Sequence, residues 1–118
     1  MSSSGGMIAI LPDAPLIFFP GGDNFPWITV VRGSDGATPV TDCTGTCTLF
    51  DEWGQTVPGA TNVSVTGNSN TYTAQFAASG FNPAPGRNYR IQFVLTSASL
   101  GAKRPWWFDA WVAEENFA

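Results

Sequence analysis

The chain has 118 residues, of which 43% are hydrophobic and 12% are charged, and its formal net charge at neutral pH is −4. This size suits one domain with a core of its own, and the hydrophobic content excludes an intrinsically disordered chain. Nucleic acid is not an expected partner, because phosphate binding needs clustered positive charge and the one basic doublet, Lys103-Arg104, is expected in a solvated turn. The charged fraction is about half that of an average soluble domain, so we expect other protein to cover part of the surface.

Residues 1–13 are expected to form an extended N-terminal arm. The segment opens with serine and glycine and carries an apolar patch, Met7-Ile8-Ala9-Ile10-Leu11, before Pro12. No basic residue precedes the patch and prolines follow it, so a signal peptide is not expected, and no apolar run has the length of a membrane helix. We therefore expect synthesis in a cytoplasm, no membrane partner, and an arm tied to a neighbouring subunit.

Residues 14–118 are expected to form one all-β domain. Eight runs rich in β-branched and aromatic residues are bounded by glycine, proline, asparagine or aspartate, which is typical of short strands joined by turns. The runs are 16–19, 25–32, 38–42, 46–51, 61–66, 71–77, 87–96 and 105–113. Prolines and glycines spread along the whole chain break every candidate helix. Seven or eight strands at this spacing predict an antiparallel sandwich, with a small barrel as the alternative.

The run 87–96 has the clearest alternation and suggests the type of sandwich. Its apolar face consists of Tyr89, Ile91, Phe93 and Leu95. The string Pro85-Gly86-Arg87-Asn88-Tyr89 puts a Pro-Gly turn just before the tyrosine, and this resembles the tyrosine corner of immunoglobulin-like sandwiches, in which the ring packs inward and its hydroxyl bonds back to the loop. The alternative is a chance turn before a core tyrosine. The corner favours an immunoglobulin-like fold.

The last run, 105–113, is apolar on both faces. One face has Trp106, Phe108, Ala110 and Val112, and the other has Trp107 and Trp111 on either side of Asp109. The second face meets a partner, is covered by the arm, or binds a stacking ligand such as a sugar; we favour packing, because tryptophan is enriched in interface hot spots. The runs 16–19 and 25–32 are also apolar on both sides. The predicted interface residues are Ile8, Ile10, Leu11, Phe18, Phe19, Trp107 and Trp111.

Catalysis is not expected. The chain has no histidine, so the commonest general base is absent, and no serine lies in a G-x-S-x-G nucleophile elbow. The neighbouring carboxylates Asp51-Glu52 and Glu114-Glu115 point to opposite sides of a strand. Asp23-Asn24 and Asp35 have side chains that can hold calcium, but turns use such residues for local bonds far more often. We therefore predict no catalytic residue, no cofactor and no metal site.

The two cysteines lie in the string Cys43-Thr44-Gly45-Thr46-Cys47. A zinc site is not expected, because there is neither a histidine nor a second cysteine pair. A tight loop at Gly45 would let the two thiols form a disulfide. The alternative, which we favour for a protein made in a reducing cytoplasm, is two small apolar residues at a strand entrance.

The segment 36–54 carries a likeness to known proteins. It reads GATPVTDCTGTCTLFDEWG. Together with the tyrosine strand after a Pro-Gly turn, it resembles the small immunoglobulin-like structural proteins of tailed bacteriophages, which run a G-x-P-V-D-L-T-G pattern into a strand and a D-x-x-G pattern at a hairpin. The likeness covers residues 22–112. It departs from the pattern at Cys43, where an aliphatic residue is usual, and in the heavily aromatic last strand.

The resemblance implies a virion component with no catalytic residues to carry over. Capsid decoration proteins, head–tail completion proteins and the adaptor ends of tail fibres use such domains. We expect a capsid decoration (cement) protein that binds and stabilises neighbouring subunits, located in the virion and partnered by other virion proteins and by copies of itself. One alternative is a tail, head–tail, fibre or baseplate component. The other is a carbohydrate- or surface-binding module with Trp53, Trp107 and Trp111 as stacking platforms.

Overall fold

The computed structural model describes residues 7–11, 16–32, 38–84 and 87–112, and all regular structure in these ranges is β. The strands are β1 Met7–Ile10, β2 Leu16–Phe18, β3 Trp27–Arg32, β4 Cys43–Phe50, β5 Val63–Ser64, β6 Thr66–Asn68, β7 Thr71–Thr73, β8 Asn88–Ser97 and β9 Ala102–Val112. Among the described residues, no helix has the length and apolarity needed to cross a membrane. The all-β prediction is confirmed.

The strands form two sheets with apolar inner faces, as a sandwich requires. The four-stranded sheet has the order β1-β3-β7-β6, and the five-stranded sheet has the order β2-β9-β8-β4-β5. The expectation of antiparallel pairing needs one correction, because β2 runs parallel to β9. The chain reaches both sheets within its first two strands, since β1 pairs with β3 and β2 pairs with β9.

The core follows from alternation along the two long strands. In β8 every second residue from Tyr89 to Leu95 is buried, and in β9 Trp106, Ala110 and Val112 are buried as predicted. At one end of the core, edge-to-face ring pairs lie 5.8–5.9 Å apart, within the range that aromatic pairs prefer. The rings in this cluster are Phe18, Phe76, Phe81 and Tyr89.

Two buried tyrosines anchor loops to the core. The hydroxyl of Tyr89 accepts a hydrogen bond from the backbone N–H of Ala84 at 3.3 Å; the turn residues 85–86 lie outside the described ranges. Tyr72, on β7 of the four-stranded sheet, donates to the carbonyl oxygen of Val40 at 2.6 Å and accepts from the N–H of Cys43 at 3.1 Å. Because Cys43 begins β4, the Tyr72 hydroxyl connects the two sheets.

Part of the predicted arm belongs to the sandwich. Residues 7–10 form the edge strand β1, paired antiparallel with β3. Met7 is buried in the core, and its carbonyl oxygen accepts a 2.9 Å hydrogen bond from the guanidinium of Arg104 on β9. This segment is therefore held by its own chain. Residues 1–6 and 12–13 of the arm lie outside the described ranges.

Three further predicted elements differ from the structure. The run 61–66 is divided, because β5 pairs with β4 while β6 pairs with β7, so the chain changes sheets at Val65. The run 38–42 makes only an isolated bridge from Pro39 to Val31, since proline has no N–H to continue a ladder. Lys103-Arg104 lies within β9 and not in a turn, because the β8–β9 register starts at Ser97 opposite Ala102.

Candidate functional site: the outer faces of the two sheets

The predicted interface residues do not form one surface. Ile8 and Ile10 lie on the outer face of the four-stranded sheet, and their side chains are 43% and 56% exposed. Leu11 is half-buried against the core. Trp107 and Trp111 lie on the outer face of the five-stranded sheet, on the other side of the sandwich. The structure therefore separates these residues onto two faces.

Phe18 corrects the interface prediction. Its ring is 1% exposed and contacts the rings of Phe76 and Phe81 in the core. The register of β2 against β9 places Phe18 beside the buried Val112. Because paired residues lie on the same face of a sheet, this register directs Phe18 into the core. Phe19 stays exposed, as the interface prediction requires.

The outer face of the four-stranded sheet carries no ionisable side chain among its described strand residues. We call it the charge-free face. Its residues are Ile8, Ile10, Trp27, Thr29, Val31, Thr66, Asn68, Thr71 and Thr73. They lie in cross-strand rows: Ile8 beside Val31, for example, and Trp27 beside Thr73. Ile8, Ile10 and Trp27 are each at least 40% exposed, so the face offers large apolar side chains to solvent.

The outer face of the five-stranded sheet combines aromatic and charged side chains, and we call it the tryptophan face. Residues of β9, β8 and β4 alternate outward in register, so that Asp109 lies opposite Arg90 and Arg90 lies opposite Phe50. In the next row towards one end, Trp111 lies opposite Asn88. Unlike the charge-free face, this surface offers charged hydrogen-bonding groups beside its rings.

An arginine guanidinium lies over the ring of two of the tryptophans, although Trp53 remains 69% exposed. The guanidinium of Arg87 lies 4.4 Å from the ring centre of Trp53 and also forms a 2.8 Å ion pair with Glu52. The guanidinium of Arg90 lies 4.9 Å from the ring centre of Trp107. These distances are within the range of favourable cation–π contacts. Trp107 also packs on Phe50, with ring centres 5.2 Å apart.

Trp111 differs from these two tryptophans. Its side chain is 54% exposed, and its ring has no aromatic or cationic partner among the described residues. It is held by the backbone of β9 between β2 and β8, where Ile17 and Asn88 are its register partners. Pairing of β9 with a strand on each side fixes the position of the Trp111 ring. No aromatic or cationic group of the described residues lies over the face of this ring.

Two shallow depressions indent the tryptophan face. The one beside Trp111 has a volume of ≈ 300 Å³ and is lined by Glu52, Asn88, Tyr89, Arg90, Asp109 and Trp111. The other, beside Trp107, has a volume of ≈ 270 Å³. Both are lined by Glu52 and Arg90, so the two depressions adjoin along these shared side chains.

A third depression, of ≈ 280 Å³, lies between residues 38–42 and the β8–β9 turn. Its carboxylate, Asp42, accepts hydrogen bonds from the Ser97 hydroxyl at 2.7 Å and from the Ser99 N–H at 2.8 Å. These bonds hold the pKa of Asp42 below its usual value. The carboxylate fastens the entrance of β4 to the turn, which is a structural role.

The structure contradicts the disulfide between Cys43 and Cys47. Both thiols are free and buried, and both residues lie on β4. Residues four apart on a strand have Cα atoms about 13 Å apart, whereas a disulfide needs about 7 Å or less. Gly45 does not turn the chain, because it pairs with Leu95 in the middle of the sheet.

We expect neither thiol to react with a water-soluble disulfide reagent in the folded protein at pH 8. Burial raises the pKa of Cys47 far above its usual value and also raises that of Cys43, so the reactive thiolate is scarce. The rate should be at least about a hundredfold below that of free cysteine. The measurement is a 5,5′-dithiobis(2-nitrobenzoate) titration, which should detect two protein thiols only after the chain is denatured. A native thiol that reacts at once would contradict this packing.

No group of three or more metal-ligating side chains occurs among the described residues. Asp23, one of the calcium candidates, makes long-range bonds and not the local turn bonds expected: its carboxylate accepts from the N–H of Ala78 at 2.8 Å and from the amide of Gln75 at 3.1 Å. Asn24 bonds back to the carbonyl oxygens of Phe19 and Gly22. Asp35 and Glu114-Glu115 lie outside the described ranges.

The sequence placed Asp109 beside Trp107 and Trp111, but Arg90 and Phe50 were not predicted as members of the tryptophan face. Alternation along β8 and β4 places Arg90 and Phe50 on the outward side of their strands. This alternation was the signal in the sequence that could have identified them. Their meeting depends on the register of β4, β8 and β9, which brings Phe50, Arg90 and Asp109 into one row. Register comes from long-range pairing, so no local pattern places these groups together.

Comparison with known proteins returns no match. No protein-family model matches the sequence, and neither a curated protein nor a solved structure matches the chain. The two outer faces and their side chains are the features of this molecule that indicate a function.

Proposed function

We propose that the chain is a non-catalytic structural protein of a bacteriophage virion, a capsid decoration protein that binds neighbouring subunits. The carrying observation is the charge-free face, on which Ile8, Ile10 and Trp27 are exposed without an ionisable neighbour among the described strand residues. The centres of protein interfaces are depleted in charge and enriched in aromatic side chains. Exposed apolar area is unfavourable in water, so this face favours burial against protein.

The proposal includes an immunoglobulin-like fold. Variable-type immunoglobulin domains have one sheet of strands A, B, E and D and a second in which strands G, F, C and C′ are neighbours. The orders β1-β3-β7-β6 and β9-β8-β4-β5 follow the same sequence. The Tyr89 hydroxyl bond to Ala84 adds the corner of that fold. These features support the resemblance from which the virion role is proposed.

In this function the sandwich is a rigid body that binds neighbouring subunits through its charge-free face. The charge-free face is held by strand pairing, so docking requires little ordering of the backbone. Burial of apolar area contributes about 25 cal/mol per Å². Many copies on one particle would add weak contacts through multivalency.

A carboxylate on the charge-free face is expected to abolish assembly. Ile10→Asp places an unpaired charge in the proposed contact, and binding to particles produced without the protein should weaken at least about a hundredfold. The matched control is Ile17→Asp, because Ile17 is also exposed on an edge strand but belongs to the other sheet. Cosedimentation with the particles measures binding, and light scattering measures the mass of the free protein.

The control variant should sediment like the wild type, and both variants should unfold at the wild-type urea concentration. Equal losses for Ile10→Asp and Ile17→Asp would reject the charge-free face as the contact. A wild-type chain that stays at its monomer mass of 12.5 kDa and is absent from particles by mass spectrometry would reject the virion role.

A further inference from the structure

The depression beside Trp111 has the features of a carbohydrate site. We propose that it binds a neutral oligosaccharide, with one sugar ring stacked on Trp111 and its hydroxyl groups bonded to Asp109, Asn88 and Arg90. The site lies on the tryptophan face, on the opposite side of the sandwich from the charge-free face. This binding goes beyond the assembly role and is independent of it.

The exposed ring of Trp111 is a surface on which a sugar can stack. A pyranose ring has an apolar face of C–H groups that packs on the electron-rich face of an indole. Of the three tryptophans that the sequence marks as platforms, Trp53 and Trp107 each have an arginine guanidinium over the ring, at 4.4 and 4.9 Å. Trp111 is 54% exposed and has no ring or cation partner among the described residues. It also lines the ≈ 300 Å³ depression, so a sugar held there would meet a ring that carries no arginine.

Polar groups beside the Trp111 ring can form hydrogen bonds with sugar hydroxyls. The side chains of Asp109 and Asn88 line the depression with Trp111 and make no hydrogen bond or ion pair with another described residue. A carboxylate accepts hydrogen bonds, and an amide both donates and accepts, which suits sugar hydroxyls. Arg90 lies opposite Asp109 in the β8–β9 register and adds donors at the edge of its guanidinium. Stacking and hydrogen bonding thus converge on one depression.

The charge of the lining specifies a neutral ligand. Glu52 is already neutralised by its 2.8 Å ion pair with Arg87. The other charged groups in the lining are Asp109 and Arg90, and their formal charges cancel. A polyanion would meet the free carboxylate of Asp109, and a cation would meet Arg90. A neutral sugar uses both groups as hydrogen-bond partners without leaving a charge uncompensated.

The geometry also specifies a ligand longer than one ring. The depressions of ≈ 300 Å³ and ≈ 270 Å³ share Glu52 and Arg90 in their linings. A chain of sugars that starts on Trp111 would pass Arg90 and reach the edge of Trp107. Strand residues from β8 and β9 form most of the first depression, so the site is preformed and loses little entropy on binding.

Isothermal titration of the intact protein with cellohexaose, maltohexaose and hexa-N-acetylchitohexaose tests the site, with oligogalacturonate as a charged comparison. We expect one or more neutral oligomers to bind, and Trp111→Ala to weaken that binding at least about tenfold. Asp109→Ala should weaken it about tenfold as well, because it removes charge-assisted hydrogen bonds. Trp27→Ala, which removes an exposed tryptophan from the charge-free face, should leave the affinity unchanged.

Circular dichroism and urea unfolding show that each variant is folded, since Trp111 and Asp109 are exposed. No heat of binding with any neutral oligomer at millimolar concentration would overturn the proposal. Binding of oligogalacturonate alone would also overturn it, and so would a Trp111→Ala variant that binds as tightly as the wild type. Particle binding by Ile10→Asp and Ile17→Asp reports on the assembly role separately, so failure of one proposal does not decide the other.

Discussion

Replacing Gly59 with alanine is expected to lower the free energy of unfolding by about 3 kcal/mol or more. Gly59 has a φ of 85°, a left-handed conformation that costs a residue with a Cβ about 1–2 kcal/mol. A Cβ at this position would also overlap the backbone carbonyl of Gly80, so the β4–β5 connection would have to move away from the β7–β8 connection. Urea unfolding followed by tryptophan fluorescence measures the loss.

Gly54→Ala is the matched control for this substitution. Gly54 has a nearly identical φ of 82°, but a Cβ there would have nothing within 4 Å. Its loss should be limited to the conformational cost of about 1–2 kcal/mol. The difference between the two variants therefore isolates the close approach of the two connections. Equal losses would show that Gly59 is retained for its conformation alone.

Tyr72→Phe is expected to lower the free energy of unfolding by about 2–4 kcal/mol. The substitution keeps the ring and removes a hydroxyl that bonds to Val40 and Cys43 at 2.6 and 3.1 Å. Two backbone groups would lose this partner in the core, where unsatisfied polar groups are costly. The control is Tyr89→Phe, which removes one longer bond of 3.3 Å to a partly buried N–H and should cost about 1 kcal/mol.

The effect of Tyr72→Phe should also depend on pH. Burial raises the pKa of Tyr72 from 10.0 to about 12, so above pH 10 the unfolded chain ionises this tyrosine while the folded chain does not. The wild type therefore loses stability as the pH rises from 10 towards 12, and the phenylalanine variant lacks this contribution. The difference in unfolding free energy between the two proteins should shrink over that window. A constant difference would contradict the buried position of the hydroxyl.

Local alternation is the part of this fold that could be predicted without pairing information. In β8 and β9 successive side chains point to opposite faces, so the buried set from Tyr89 to Leu95 and the exposed pair Trp107 and Trp111 follow directly from the order of residues. The hydrogen bond between the Tyr89 hydroxyl and Ala84 follows in the same way, because the tyrosine and the loop that it bonds are close in the chain. In contrast, the larger role of Tyr72 depends on partners about thirty residues away, and it was not predicted.

Strand register decided what the local pattern left open. The run that includes Phe18 is apolar at every position, so its inward phase came only from the parallel pairing of β2 with β9. Gly45 allowed a turn that would have joined the two cysteines, but pairing with Leu95 on β8 keeps β4 extended. A long-range contact of this kind has a cost in chain entropy that no short window of residues reveals.

The composition of this chain by itself determined that it has few charged residues and no histidine, because these properties depend only on which residues are present. The order of residues determined which side chains alternate together. Only the tertiary structure divided the exposed apolar side chains between a charge-free face and a tryptophan face, because that division depends on which strands share a sheet. It also left Trp111 open while Arg90 covers Trp107, since side chains meet across strands through register, and register is a property of the assembled sheets.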